Sequence, residues 1–203
     1  ARKTSNSFAF TSWWADAANR PIEDLTGFAK TFFAKHTLLN VLTRYCVLTA
    51  DRMLLVMRPY QIVATEQILR RIEVATNYKQ WGTVAGGGYV WHTTGSGKTL
   101  TSFKAAQLAT KLAGVEKVLF VVDRKDLDYQ TMQEYDRFQK GAANSNTSTK
   151  ILKQQLEDPA ARIIITTLQK FPYVTDKIDS LPDRTYAVIV DEAHSSQTGD
   201  SAT

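Results

Sequence analysis

The sequence predicts an α/β fold in which helices flank an open parallel sheet. From residue 89 onwards, apolar runs alternate with segments of helical periodicity. One run, 118–122, contains no polar residue, which is typical of parallel strands covered on both faces. A glycine-containing loop lies between an apolar run and a helical segment, the place where such sheets bind phosphate groups. We therefore expect a phosphate site at the carboxyl ends of the strands.

The first 57 residues follow a different pattern. Residues 1–20 are polar with scattered aromatic side chains, and we interpret them as a linker or a docking segment. From 23 to 49, apolar residues at three- and four-residue spacing predict a long helix. Its apolar stripe is expected in the core, with a partner-binding face as the alternative. A short strand is expected at 53–57.

A helix is predicted from Arg58-Pro59 onwards, because proline favours the first helical position. A flexible glycine-rich loop, 81–88, and a polar loop, 141–149, are also expected. Strands are expected at 89–92, 118–122, 162–166 and 186–190, and helices at 98–112, 126–139 and 147–156, with a short one near 168–171. We therefore divide the chain into an N-terminal linker and helical extension, 1–57, and an α/β lobe, 58–203.

Composition restricts the class of protein. The chain has 203 residues, 43% hydrophobic and 22% charged, as in ordinary soluble domains. A net charge of +5 permits a nucleic-acid partner without requiring one. The single cysteine, Cys46, excludes an internal disulfide and is expected to be a buried, inert thiol in a reducing compartment. The most apolar stretch, 37–57, contains Arg44, Asp51 and Arg52, so no membrane span is expected. We expect the chain to be part of a longer protein.

The glycine loop has the composition of a phosphate-binding loop. Gly95 and Gly97 lack Cβ, so the backbone can wrap around an anion with its N–H groups directed inward. Lys98 supplies a positive charge for the β- and γ-phosphates, and the Thr99 hydroxyl is suited to Mg²⁺. His92 stands where the general pattern has its first glycine. A glycine-serine turn that merely begins a helix is the alternative, but the order of strand, loop and helix favours the phosphate loop.

A second acidic site follows the last predicted strand. Asp191 and Glu192 come directly after the apolar run 188–190. In a parallel sheet they lie at the same edge as the phosphate loop. Asp191 can then hold Mg²⁺ beside Thr99, and Glu192 can deprotonate the water that attacks the γ-phosphorus. An acidic strand end that caps the next turn is the alternative for this pair alone.

These motifs, taken in order, resemble a known family. Residues 94–99 and 191–194 are similar to motifs I and II of superfamily 2 helicases and translocases. Further stretches narrow the resemblance to the motor subunit of type I restriction enzymes: Val122-Asp123-Arg124, the segment 166–171, Ser195-Ser196-Gln197, and Arg58, Tyr60 and Gln61 as an adenine-reading Q motif. The resemblance covers about residues 58–197.

The resemblance implies a RecA-like first motor lobe between an upstream nuclease domain and a second RecA-like lobe. It implies ATP and Mg²⁺ as cofactors and, as partners, double-stranded DNA and the methyltransferase and specificity subunits, in the cytoplasm. The implied residues are Lys98, Asp191 and Glu192 for catalysis, Gln61, Thr94, Gly95, Ser96, Gly97, Lys98, Thr99 and His194 for ATP, Thr99 and Asp191 for the metal, and Arg124, Thr167 and Gln169 for DNA.

Some expected motifs are missing. The terminal tripeptide Ser201-Ala202-Thr203 matches motif III but follows His194 too closely, and motif VI and the arginine finger are not found. The chain alone is therefore expected to bind nucleotide weakly and to hydrolyse little.

Two alternatives stay open for the function of the chain. One is another superfamily 2 DNA or RNA helicase, since Asp-Glu-Ala-His also labels an RNA helicase group. The other is a non-catalytic module in which residues 1–57 dock partner subunits.

Overall fold

The computed structural model describes residues 12–18, 20–93, 95–122, 125–141, 143–146, 148–170, 172 and 184–191, with backbone only at 125–130. The helices are α1 (Leu25–Phe32), α2 (Lys35–Thr43), α3 (Pro59–Asn77), α4 (Lys98–Ala109), α5 (Lys125–Phe138) and α6 (Thr149–Glu157), and the strands are β1 (Cys46–Leu48), β2 (Leu54–Val56), β3 (Lys117–Val122), β4 (Ile163–Thr167) and β5 (Tyr186–Val190). Within these residues, no helix is long and apolar enough to cross a membrane.

A three-stranded parallel sheet in the order β4-β3-β5 is the centre of the fold, as the apolar runs predict. All residues of β3 and β4 are buried, because helices pack against both of these strands. Val121 pairs with Thr166 on one side and with Val190 on the other. This register brings the carboxyl ends of the three strands to one edge.

Helix α4 connects the sheet to α3. Phe103, Ala106 and Ala109 recur at three-residue spacing along it and are 0% exposed. They belong to the same buried cluster as Ile62 and Leu69 of α3. Small side chains on α4 allow close packing of the two helices. The start of α4, which carries the glycine loop, is thereby fixed against the start of α3.

The prediction of one long helix over 23–49 is wrong. The segment forms α1, α2 and then β1, which pairs antiparallel with β2. Asp24 caps α1 by accepting a hydrogen bond from the Gly27 N–H, and α1 ends at Phe32. The expectation that the stripe is core holds only in part: Tyr45 lies in the buried cluster at 2% exposure, whereas α1 has no buried residue and α2 has only Val41. The strand expected at 53–57 is confirmed as β2.

The strand expected at 89–92 is absent from the described residues. Tyr89 is 92% exposed and Trp91 is 88% exposed. An apolar run forms a strand only where a neighbouring strand accepts its backbone hydrogen bonds, and neither β4, β3 nor β5 pairs with this segment. Before it, the expected flexible loop contains a 3-10 turn at Val84–Gly86, and Arg71 Nε donates to the Gly87 carbonyl at 2.7 Å.

The polar loop at 141–149 is tied to the edge of the sheet. Asn144 forms a parallel bridge with Ile164 of β4. Asn146 is 3% exposed, donates to the Ile165 carbonyl at 2.8 Å and accepts from Lys170 Nζ. These bonds give a structural role to Lys170, which belongs to the segment 166–171 that resembles a family motif.

Candidate functional site

The loop before α4 is shaped to hold an anion. Gly95 and Gly97 have φ values of +76° and +80°, a region that favours glycine. Gly97 is the N-cap residue of α4 and provides no side-chain cap. Gly97 therefore supplies no side-chain acceptor to the first N–H groups of the helix, and the positive end of the helix dipole lies beside Lys98. A helix start of this kind can bind an anion such as phosphate.

The start of α3 holds this loop in place. Gln61 is 4% exposed; its Oε1 accepts from the Arg58 N–H at 2.8 Å, and its Nε2 donates to the carbonyls of Ser96 and Gly97 at 3.1 and 3.2 Å. The Tyr60 hydroxyl donates to the same Ser96 carbonyl at 2.8 Å. In this conformation the Gln61 amide is engaged by the backbone, so adenine recognition by Gln61 requires an exchange of partners and stays a prediction.

His92 contributes a side chain where the general pattern has glycine. Its Nδ1 lies 3.0 Å from the Ser96 hydroxyl. Burial and the positive charge of Lys98 lower the pKa of His92, so the ring is neutral at neutral pH. Its Nε2 is buried and has no hydrogen-bond partner among the described residues. The loop in this sequence is therefore held by a side-chain contact as well as by backbone bonds.

Asp191 and a buried tyrosine, Tyr135, are each held by a hydrogen bond to a neighbouring element. The Asp191 N–H donates to the Val121 carbonyl at 2.9 Å, which keeps Asp191 at the end of β5. The Tyr135 hydroxyl donates to Ser102 on α4 at 3.1 Å. Burial raises the pKa of the Tyr135 phenol, so it stays protonated at neutral pH. Sequence reasoning missed Tyr135 because a tyrosine in an amphipathic helix carries no motif.

The three candidate DNA residues have different positions. Thr167 is 0% exposed at the end of β4, and its hydroxyl has no described partner. A direct contact of this side chain with DNA would require its exposure and stays a prediction. Gln169 is exposed in the following turn. Arg124 lies outside the described residues, as do Thr94, Glu192 and His194 of the predicted nucleotide site.

The donors available for a metal fit a nucleotide-bound Mg²⁺. Thr99, in the first turn of α4, offers a hydroxyl oxygen, and Asp191 offers a carboxylate. No group of three or more His, Cys, Asp or Glu side chains that could hold a metal occurs within the described part of the chain. Mg²⁺ commonly takes one or two protein oxygens and completes its shell with substrate phosphates and water. The residues therefore suit a metal that arrives with its phosphate ligand.

We expect Gly97→Ala to damage the loop more than Gly95→Ala. A Cβ at Gly97 would lie 2.5 Å from Gln61 Nε2, whereas at Gly95 no described atom lies within 4 Å. Both substitutions carry the cost of a positive φ, about 1–2 kcal/mol. The alanine at 97 also displaces the Gln61 amide and breaks its two bonds to the loop, at about 0.5–1.5 kcal/mol each. Urea unfolding of both variants measures the difference.

The double variant Gln61→Ala/Gly97→Ala provides the control. Once Gln61 is truncated, the alanine at 97 has no amide to displace. Its additional cost is then expected to fall to that of Gly95→Ala, about 1–2 kcal/mol. Additive costs in the double variant would show that the Gln61 contact does not hold the loop.

Comparison with known proteins assigns the family. The SWI2/SNF2 ATPase family matches residues 60–203. The chain is 46% identical, over 92% of its length, to the C-terminal part of the MpnIIP endonuclease subunit of Mycoplasma pneumoniae, of which it covers 94%. It is 39% identical, over 93% of its length, to the SauCOLORF180P endonuclease subunit of Staphylococcus aureus.

A third relative is the EcoprrI endonuclease subunit of Escherichia coli, 56% identical over 72 residues, which are 36% of this chain and 23% of the relative. The chain spans 20% of the length of the staphylococcal relative, so it corresponds to one region of that subunit. All three relatives are named as type I restriction enzyme subunits. The chain belongs to the family of type I restriction enzyme endonuclease subunits, and most of it lies in a SWI2/SNF2 ATPase region.

Proposed function

We propose that this chain is the ATP-binding, RecA-like first lobe of a motor that translocates double-stranded DNA for a type I restriction enzyme. The observation that carries the proposal is the start of α4, where two glycines with positive φ precede a helix whose N-cap residue has no side chain. The family assignment supports it, because the relatives are restriction endonuclease subunits and the matching family is an ATPase.

Each residue of the site has a proposed role. The backbone around Gly95 and Gly97, together with Lys98, binds the phosphates of ATP. Thr99 and Asp191 hold Mg²⁺, which when bound neutralises charge on the phosphates. Glu192 accepts a proton from the attacking water. Thr94, Ser96 and His194 complete the nucleotide site, and Gln61 reads adenine after releasing the loop carbonyls, which are its partners in this conformation.

The proposed partners follow from the family. Double-stranded DNA is the track, with Arg124, Thr167 and Gln169 as candidate contacts. The methyltransferase and specificity subunits anchor the motor, and the complex acts in the cytoplasm. Residues 1–57 are proposed to connect the lobe to an upstream domain. Leu25 is 80% exposed and Phe33 is 60% exposed, which suits a segment that packs against other parts of an assembly.

Displacement of the third strand from a DNA triplex tests this proposal. The full-length protein is assayed with ATP, with and without a methyltransferase–specificity complex, beside a duplex-unwinding assay. We expect ATP-dependent displacement that requires the complex and no strand separation. Unwinding by the motor chain alone would assign the protein to free-standing helicases. Absence of DNA-stimulated ATPase activity in the full-length protein would leave only a non-catalytic docking role.

A further inference from the structure

A buried phenol on α5 packs against both α4 and β3. Tyr135 on α5 is 0% exposed. Its ring packs edge to face on Phe103 of α4, with centroids 5.0 Å apart, and against Phe120 of β3 at 5.5 Å. Packing on two different elements restricts the ring to one position, so the direction of its hydroxyl is fixed by the core.

A chain of hydrogen bonds runs from this phenol to the metal-binding helix. The Tyr135 hydroxyl donates to Ser102 Oγ at 3.1 Å, and Ser102 Oγ donates to the Thr99 carbonyl at 3.0 Å. Tyr135 also packs on Phe120 of β3, and the carbonyl of the next residue, Val121, accepts the Asp191 N–H at 2.9 Å. Tyr135 is thus bonded to the helix that carries Thr99 and packed on the strand to which Asp191 is bonded.

We propose that Tyr135 and Ser102 are positioning residues, which hold the first turn of α4 so that Thr99 and Asp191 bind one Mg²⁺ together. This inference rests on the proposed function, since it takes the ATP site as given. Neither residue touches the nucleotide or the metal. They act through the backbone of Thr99.

The physical reason is the strict geometry of magnesium. Mg²⁺ requires near-ideal octahedral coordination with ligand distances of about 2.0–2.1 Å. Thr99 belongs to α4 and Asp191 follows β5, so only tertiary contacts set their separation. A bonded link from α5 to the first turn of α4 is such a contact. Removing it lets the turn shift by a small distance that weakens metal binding before it weakens phosphate binding.

Titration of the full-length protein with a fluorescent ADP analogue, in EDTA and in Mg²⁺, tests the inference without measuring turnover. Tyr135→Phe keeps the aromatic packing and removes only the hydroxyl. We expect its affinity in EDTA to equal that of the wild type. Mg²⁺ raises the affinity of the wild type for the analogue by a certain factor. In Tyr135→Phe this factor, the Mg²⁺ gain, is expected to be about three- to tenfold smaller, the effect of one lost hydrogen bond.

Two further variants separate positioning from stability. Tyr45 is also buried, at 2% exposure, and its hydroxyl donates to Glu66 at 2.8 Å away from the site. Tyr45→Phe is expected to lower stability about as much as Tyr135→Phe and to leave the Mg²⁺ gain unchanged. Ser102→Ala is expected to reproduce the Tyr135→Phe effect, and the double variant Ser102→Ala/Tyr135→Phe to be no worse than either single variant.

The possible outcomes are distinct. If Tyr135→Phe keeps the wild-type Mg²⁺ gain, the positioning role is overturned. It is also overturned if Tyr45→Phe loses as much of the Mg²⁺ gain as Tyr135→Phe does. Additive losses in the double variant overturn the shared link. If the wild-type protein binds no nucleotide with or without Mg²⁺, the proposed function itself fails, a result that differs from all three.

Discussion

Replacing Lys98 with alanine is expected to lower DNA-stimulated ATPase activity by at least about 100-fold, the cost of removing one positioned donor from a developing negative charge. Lys98 is the first residue of α4 and follows the two glycines with positive φ. Its ammonium group is the only lysine charge that the phosphate-loop pattern assigns to the β- and γ-phosphates. The measurement is steady-state ATP hydrolysis by the full-length protein at saturating DNA.

The fold is expected to survive this change. Lys98 is half-buried at a helix start and alanine is a good helix former, so unfolding in urea should shift by less than about 0.5 kcal/mol. Lys111→Ala is the matched control, because Lys111 is an exposed lysine just beyond the other end of α4. It should retain full activity. Normal turnover in Lys98→Ala would show that the loop does not bind the phosphates of ATP.

Replacing Lys117 with methionine is expected to destabilise the protein by about 3 kcal/mol, because it removes the donor of three backbone carbonyls, of which the Ala161 carbonyl accepts in a buried bond. Lys117 begins β3 and is 1% exposed. Its Nζ donates to the carbonyls of Gln155, Asp158 and Ala161 at 3.0, 2.5 and 2.8 Å, at the end of α6 and in the turn that follows. Methionine fills the same volume without donating. The free energy of unfolding in urea measures the loss.

Lys153→Met is the control on the surface of α6. The Lys153 side chain is 51% exposed and pairs with Glu157 at 3.7 Å, so its loss should cost less than about 0.5 kcal/mol. If Lys117→Met is as stable as this control, the bonds from Lys117 to the carbonyls at the end of α6 do not stabilise the protein.

The pH dependence of stability gives a second readout for Lys117. Burial, followed by the charge of Arg184, lowers the pKa of Lys117. Between that lowered value and the ordinary lysine pKa of about 10.4, the unfolded chain binds more protons than the folded one. The contribution of Lys117 to stability therefore rises with pH across this window, and below it is independent of pH. Lys117→Met is expected to lose that slope.

The local chemistry of the site was predictable from the chain itself. Glycine at 95 and 97, followed by Lys98 and Thr99, predicts the loop and the helix start, because only glycine takes a positive φ without strain. The strands β3, β4 and β5 and their parallel pairing follow from apolar runs separated by helical segments. Local backbone preference and burial determine these features, and both are encoded over a few consecutive residues.

Tertiary contacts decided the rest. The apolar run at 89–92 has the composition of a strand, but the structure pairs it with none of the described strands. The segment 23–49 has helical spacing but forms two helices and the first strand of a hairpin, because Cys46–Leu48 pairs with Leu54–Val56. The hydrogen bonds from Gln61 to the glycine loop and from Tyr135 to Ser102 join residues far apart in the chain. Such contacts depend on how helices and strands pack together, which no local pattern encodes.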